Sequence, residues 1–202
     1  MKTFRIACLL ALSLSFIAGA GAQTAYPVKP IRIVVPYPAG GGIDVMSRLL
    51  GQQLSQRLGQ PVVIENKPGA GTIVAAESVA RAAPDGHTLL MTTDATITIN
   101  PHLYAKLPYD PVKDFAPVSM GAYGSLMLVA HPKTEIKTVK DLVAAARAKP
   151  GFITFGSPGV GTPHHMAMEL FKLETKAFML HVPYRGTAGY TQDLLAGELM
   201  VG

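Results

Sequence analysis

Cysteine is nearly absent from this 202-residue chain: the single example, Cys8, lies among the first ten residues. Tryptophan is missing altogether. Charged residues make up only 15% of the chain against 49% hydrophobic, which excludes a solvated disordered polymer and predicts a buried core. The length suits one ordinary domain or two small lobes. No apolar run reaches the roughly 20 residues that a membrane-spanning helix needs.

The longest apolar run, Ile6 to Ala18, is broken only by Ser13 and Ser15. Lys2 and Arg5 precede it, and Ala20-Gly21-Ala22 follows with small side chains. This pattern predicts a secretory signal over residues 1–22, cut between Ala22 and Gln23, and so a periplasmic mature protein. The other reading of the run is an N-terminal anchor, for which it is short. Cys8 sits too early to be a lipid-modified residue at the cleavage site.

Cleavage would remove the only Cys, and with it disulfides, thiol chemistry and Cys-ligated metals. It would also take Lys+Arg from 18 to 16 against 13 acidic residues, lowering the formal charge from +5 to +3. A mild positive balance suits a small anion. Nucleic acid is not an expected partner, because that role calls for clustered Lys/Arg. The densest basic stretch, Lys133 to Lys149, is interleaved with Glu135 and Asp141 and reads as a solvated helix face.

Nucleotide and catalytic motifs are also missing. Gly40-Gly41-Gly42 lacks the spaced third glycine of a dinucleotide fingerprint, and Gly159-Val160-Gly161 has His164 in that place. No Gly-Lys-Ser/Thr follows either turn. There is no Gly-x-Ser-x-Gly elbow, and Ser157 has no evident base beside it. His164 and His165 are adjacent, so they project about 100° apart on a helix and share a metal ion poorly. No metal, no cofactor and no enzymatic activity are expected.

What is present is a strand–helix rhythm that occurs twice. Ile31–Val35, Val62–Glu65 and His87–Thr92 read as strands. Met46, Leu49, Leu50, Leu54 and Leu58 recur at helical spacing, and an Ala-rich helix runs to about Ala83. The order predicts a parallel sheet with right-handed crossovers, whose strand ends share one ligand-binding edge. Residues 100–117 carry Pro101, Pro108, Pro111 and Pro117 and read as an ordered loop or hinge rather than a helix. The rhythm then resumes: a strand at Leu126–Ala130, a helix at Val139–Ala148, and a strand at Phe152–Phe155. A helix with Met166, Leu170 and Leu173 follows, then a strand at Leu180–Tyr184 and a helix ending near Gly197. Glu198 to Gly202 looks like a strand stopped in mid-element, so the chain is expected to be cut short.

Two glycine-rich turns open helices. A helix N-terminus presents unpaired N–H groups and a positive dipole end, and glycine lets an anion approach them. Gly40-Gly41-Gly42 and Gly159-Val160-Gly161-Thr162 could therefore grip the two ends of a dicarboxylate; each alone also reads as a plain tight turn. One of His164 and His165 could donate a hydrogen bond there, or either could be a surface side chain. Asp44 lies in a helix first turn, where it suits the dipole but would oppose a bound anion unless it points away. Asp94 follows the third strand and could accept from an ammonium, or simply form a turn.

Several blocks occur in a fixed order. They are Lys29 to Pro36 with Ala39-Gly40-Gly41 and Asp44, Val62 to Gly71, Ala83 to Leu90, and Asn100 to Tyr104. Tyr109-Asp110-Pro111, Asp114 to Val118, Gly156 to His165, and His181 to Gly186 complete the series. This series resembles the Bug-type substrate-binding receptors of tripartite tricarboxylate transporters. The resemblance implies an α/β, two-lobed periplasmic-binding-protein architecture of type II (Venus-flytrap), with the first lobe incomplete. Residues 23–120 would form that partial lobe and its Pro-rich connection, and residues 121–202 a nearly complete second lobe. It implies a small carboxylate ligand: a di- or tricarboxylate, an aromatic carboxylate or an acidic amino acid. The carboxylate would be held by Tyr37, Pro38, Ala39, Gly40 and Gly41 on one side. Ser157, Gly159, Gly161, Thr162 and His165 would hold it on the other, with Thr93 and Asp94 tuning selectivity. A monomer that hands its ligand to an integral-membrane permease is expected. The alternatives are a receptor docking on a membrane sensor and, further off, a secreted α/β enzyme. Family members continue well past the position of Gly202.

Overall fold

A computed structural model describes residues 26–202. The signal-peptide reading of residues 1–22 lies outside the described residues. Strand β1, Ile31–Val35, is β-branched throughout apart from Arg32 and ends at Pro36. It forms the centre of a parallel sheet, between β2 (Val62–Asn66) and β3 (Thr88–Leu90). The register pairs Ile31 with Val62 and Val35 with Asn66 on one side, and Arg32 with Thr88 on the other. Ile31, Ile33, Val34 and Val35 are all buried, as a parallel strand covered on both faces requires. Ile31, Ile33 and Val35 nucleate one apolar cluster with Ile43, Leu54, Val62, Ile64, Leu89 and Met91 around them.

Helix α1, Gly42–Leu58, ends on Gly59 in the left-handed conformation, with Pro61 beyond it. Of its leucines only Leu54 packs against the sheet's apolar cluster. Asp44, Ser47 and Gly51 are buried, while Leu49 is 60% exposed and Leu50 and Leu58 are also exposed. The reason is close approach. A Cβ at Gly51 would stand 3.1 Å from Ile64 Cδ1, so the helix lies nearer the sheet than a leucine face allows. Ser47 is tolerated there because its Oγ donates to Ile43 O at 2.7 Å.

A 3₁₀ turn, Ala70–Thr72, leads into α2 (Ile73–Ala80). After β3, a π-helical segment, Ala95–Ile99, continues into α3 (Asn100–Leu103). The expectation of no helix at the start of the proline-rich stretch is thus corrected. Pro101 sits in the first turn of α3, where a missing N–H breaks no intrahelical bond.

Residues 117–129 carry no helix or strand, and Met120, Tyr123 and Met127 are exposed. The strand expected at Leu126–Ala130 shrinks to one antiparallel bridge, Ala130 with Val201. Val129 and Gly202 exchange two backbone hydrogen bonds of 2.9 Å beside it. Upstream of Val129 no strand lies alongside, among the described residues, to extend the pairing.

The second sheet is built on β4 (Thr154–Ser157) and β5 (Leu180–Pro183), paired in parallel. Val201 adds to β4 in parallel by a bridge to Phe155. Helix α4 (Val139–Ala148) is opened by a capping box between Thr138 and Asp141. Helices α5 (Pro163–Thr175) and α6 (Thr187–Ala196) follow their strands. Leu142, Ala146, Ile153, Phe155, Met168, Met179 and Val201 form a second, separate core. In α5 the core residue is Met168, whereas Leu170 and Leu173 are exposed. Burying a side chain such as Phe155 contributes about 1.5–3 kcal/mol.

Candidate functional site

The turns that follow the strands of the two sheets meet: Gly41 lies against Thr187, and Gly161 against Leu103. After β1, the chain turns through Tyr37–Gly41 into α1. Tyr37 OH bonds Thr93 Oγ1 at 2.9 Å, which ties this turn to the one after β3. Burial raises the Tyr37 phenol above its ordinary pKa of 10.0. Asp44 is 2% exposed and folds back beneath the turn. Its carboxylate accepts from Arg48 Nε at 3.0 Å, Gly40 N at 2.9 Å and Asn66 Nδ2 at 2.8 Å. The Arg48 guanidinium is the main reason its pKa falls to about 2. The carboxylate is therefore spent on bracing the turn and is neutralised by Arg48. Gly41 is the N-cap of α1 and makes no side-chain cap bond. No protein group among the described residues accepts from the amides of Gly42 and Ile43.

The second glycine turn behaves differently. Gly159 N donates to Ser157 Oγ at 3.2 Å, Gly161 N to His165 Nδ1 at 3.2 Å, and Thr162 N to Gly159 O at 3.3 Å. Thr162 caps its own helix by accepting from His165 N. The amides of Gly159, Gly161 and Thr162 are therefore occupied within the turn. Because Nδ1 of His165 accepts, the neutral ring carries its proton on Nε2, 3.6 Å from Glu169 Oε1.

Ser157 does have an imidazole beside it, contrary to the sequence reading. Its Oγ lies 2.7 Å from His181 Nε2, a contact hidden by 24 residues of separation. Ser157 is fully buried, and its Oγ also bonds Gly159 N and Gly159 O, so the pair is a brace. His181 stacks on Phe155 at 4.8 Å and on His165 at 4.1 Å. Burial, and then the neighbouring His165, push its pKa down to about 4. Burial likewise lowers His165.

The wall that meets Tyr37–Gly41 is not among the expected ligand contacts, although Gly186 closes the last of the ordered blocks. It is Gly186-Thr187, at the start of α6. A Cβ at Gly41 would lie 2.8 Å from Thr187 Oγ1, and one at Gly186 would lie 2.8 Å from Pro38 Cδ. Gly186 takes φ 110°, a conformation that favours glycine, and is an N-cap without a side-chain cap bond. The amides of Thr187 and Ala188 have no protein acceptor among the described residues. Arg185 beside them is exposed, with no ion-pair partner among the described residues. The Ser157–Thr162 turn supports this wall, since Pro158 O accepts from Gly186 N at 2.9 Å and Ser157 O from Tyr184 N at 3.0 Å.

A second contact closes the far side. A Cβ at Gly161 would meet Leu103 Cδ1 at 2.9 Å, and one at Gly71 would meet Val160 O at 3.3 Å. Asn100 is fully buried there. Its Nδ2 donates to Gly71 O at 2.8 Å, and its Oδ1 has no partner. Thr72 holds a left-handed φ of 82°, fixed by the bond of its Oγ1 to Thr96 Oγ1 at 2.7 Å. Asp94 is exposed at the head of the π-helical segment. Its charge acts on both Tyr37 and His164, against the burial that lowers His164. His164 Nδ1 is enclosed without a partner. His164 packs edge-on against Tyr190, while Nδ1 of His165 is taken by the Gly161 amide.

An open hollow of about 560 Å³ lies elsewhere, on the proline-rich segment between Pro101 and Asp114. Its acids are spent on its own turn: Asp110 accepts the Val112 and Lys113 amides, and Asp114 the Asp110 amide. Among the described residues, no group of three or more His, Cys, Asp or Glu side chains is placed to hold a metal ion. No helix among them is long and apolar enough to cross a membrane.

Residues 46–202 match the family described as tripartite tricarboxylate transporter family receptor. Protein BugT of Bordetella pertussis is 38% identical over 195 residues, covering 94% of this chain and 60% of the relative. Among solved structures, MatC from Rhodopseudomonas palustris with bound malate is 32% identical with a TM-score of 0.81. That match covers 87% of this chain and 60% of MatC. Rpa4515 of R. palustris with adipate is 31% identical with a TM-score of 0.78, covering 87% of this chain and 59% of that one. The protein thus spans about 60% of the length of these relatives and has their two-lobed periplasmic-binding-protein fold. On this match of sequence and fold, the chain belongs to the tripartite tricarboxylate transporter receptor family.

Proposed function

We propose that this protein captures a small carboxylate in the periplasm, after removal of residues 1–22, and presents it to the permease of a tripartite transporter. One observation carries the reading. Two uncapped helix N-termini, α1 at Gly41 and α6 at Gly186, lie next to each other, with Gly41 against Thr187 and Gly186 against Pro38. Each offers free amides and the positive end of a dipole, which together favour an anion. Arg185 adds a positive charge at the rim. The malate and adipate held by the relatives' structures are carboxylates of the right class. In this reading Tyr37–Gly41 and Gly186–Thr187 contact the ligand. Ser157, Gly159, Gly161, Thr162 and His165 shape the second wall. Asp94 and His164 flank the ligand from opposite lobes, and Thr93 acts through Tyr37. The lobes, residues 23–120 and 121–202, close by bending in the segment near Pro117 to Ala122.

The test is the melting temperature of the purified protein with a panel of carboxylates, nucleotides and neutral sugars. A ligand at a hundred times its dissociation constant stabilises by about 2.7 kcal/mol. A clear upward shift with a carboxylate alone is the expected result. A cooperative melt that no carboxylate moves would remove the reading.

A further inference from the structure

Ser157 Oγ makes three polar contacts: Gly159 N at 3.2 Å, Gly159 O at 3.0 Å and His181 Nε2 at 2.7 Å. A hydroxyl has one proton and two lone pairs. Gly159 N–H takes one lone pair. If the hydroxyl proton goes to Gly159 O, the remaining lone pair must receive a proton from His181. All three contacts are hydrogen bonds together only when His181 carries its proton on Nε2. The ring is held for that role by stacking between Phe155 and His165.

The relay continues toward α6. Ser157 holds Gly159 by both its N–H and its C=O, and Thr162 Oγ1 donates to the same carbonyl at 2.7 Å. Pro158 O, between Ser157 and Gly159, accepts from Gly186 N at 2.9 Å. Gly186 is the N-cap of α6, whose first turn touches Pro38 and Gly41. His181 itself is one strand and one turn away from that wall.

We infer that His181 is a positioning residue for the anion-binding wall. Its Nε2–H, acting through Ser157 Oγ and Pro158 O, sets the place of the α6 N-terminus. The inference rests on the proposed function for the meaning of the wall, but not for the hydrogen-bond chain. It separates the two histidines that face each other in the stack. His165 accepts at Nδ1 from Gly161, and His181 donates at Nε2 to Ser157.

The experiment has two arms. In the first, a long-range ¹⁵N–¹H spectrum of the imidazoles in the native protein should show neutral His181 as the Nε2–H tautomer. Protonation on Nδ1 instead would overturn the inference, with no ligand involved. In the second, binding of malate and of adipate is measured for native protein, His181→Phe and His181→Gln. Phenylalanine keeps the stack and loses the donor. Glutamine restores an N–H near the Nε2 position. His181→Phe should weaken binding about tenfold, equivalent to about 1.4 kcal/mol. His181→Gln should recover most of that loss. His181→Phe binding within twofold of native, or equal losses in both variants, would overturn the inference. If native protein binds neither probe, the functional reading fails, and the tautomer alone decides this one.

Discussion

Asp44 illustrates how one side chain changes meaning between sequence and structure. A carboxylate in a helix first turn looks like a threat to a bound anion. Here it is buried, paired with Arg48, and bonded to Gly40 N and Asn66 Nδ2. Asp44→Ala should destabilise the fold by about 1–3 kcal/mol, because it strands the Gly40 and Asn66 donors. The melting temperature reads this directly. The pH dependence has a defined sign. The folded pKa, about 2, is below the ordinary 3.8, so the stabilisation is complete above about pH 4 and is lost as pH falls toward 2. His181 acts in a higher window. Its folded pKa, about 4, is below the ordinary 6.5, so the fold favours the neutral ring. That contribution is complete above about pH 6.5 and fades as pH falls toward 4. Melting temperatures between pH 7 and 4 should therefore fall less steeply for His181→Phe than for native protein. Identical slopes would contradict the depressed pKa.

At the scale of elements, the strands and helices were largely legible. Ile31–Val35 and Val62–Asn66 are rich in Val and Ile and bounded by Pro36, Pro61 and Pro68, and composition and punctuation suffice for them. The faces were not legible. In α1 the leucines suggested the core side, yet Gly51 and Ser47 lie against the sheet, because close helix–sheet approach rewards small residues there. Gly51→Leu should cost about 1–3 kcal/mol through overpacking, and Leu49→Gln should change stability by less than about 0.5 kcal/mol. Chemical denaturation of the two variants checks this contrast. The strand at Leu126–Ala130 failed for another reason. A strand is a property of a pair, and pattern alone does not supply the partner. The candidate site was half legible. The turn after β1 announced itself by three glycines. The wall opposite, Gly186-Thr187, follows Pro183-Tyr184-Arg185, and no periodic feature marks it. The Ser157–His181 brace joins residues 24 apart and is visible only once β4 and β5 pair in register.

The whole molecule places two separate cores, each with its own sheet, on either side of the contact between the turns after β1 and β5. That contact depends on glycines with no room for a side chain. Gly41 takes an ordinary φ of −78°, so Gly41→Ala adds no backbone strain, but its Cβ would press on Thr187 Oγ1. Gly41→Ala should therefore lower carboxylate affinity at least severalfold. Adding Thr187→Ala, which deletes the opposing oxygen, should restore part of the affinity. Calorimetry on the single and double variants measures both effects. A carboxylate held at the neighbouring N-termini of α1 and α6 is best detected by a ¹⁵N–¹H titration of the protein with malate and with adipate. Saturable shifts should concentrate at the free amides of Gly42, Ile43, Thr187 and Ala188. Shifts confined to the hollow between Pro101 and Asp114, with those four amides unmoved at saturation, would contradict that placement.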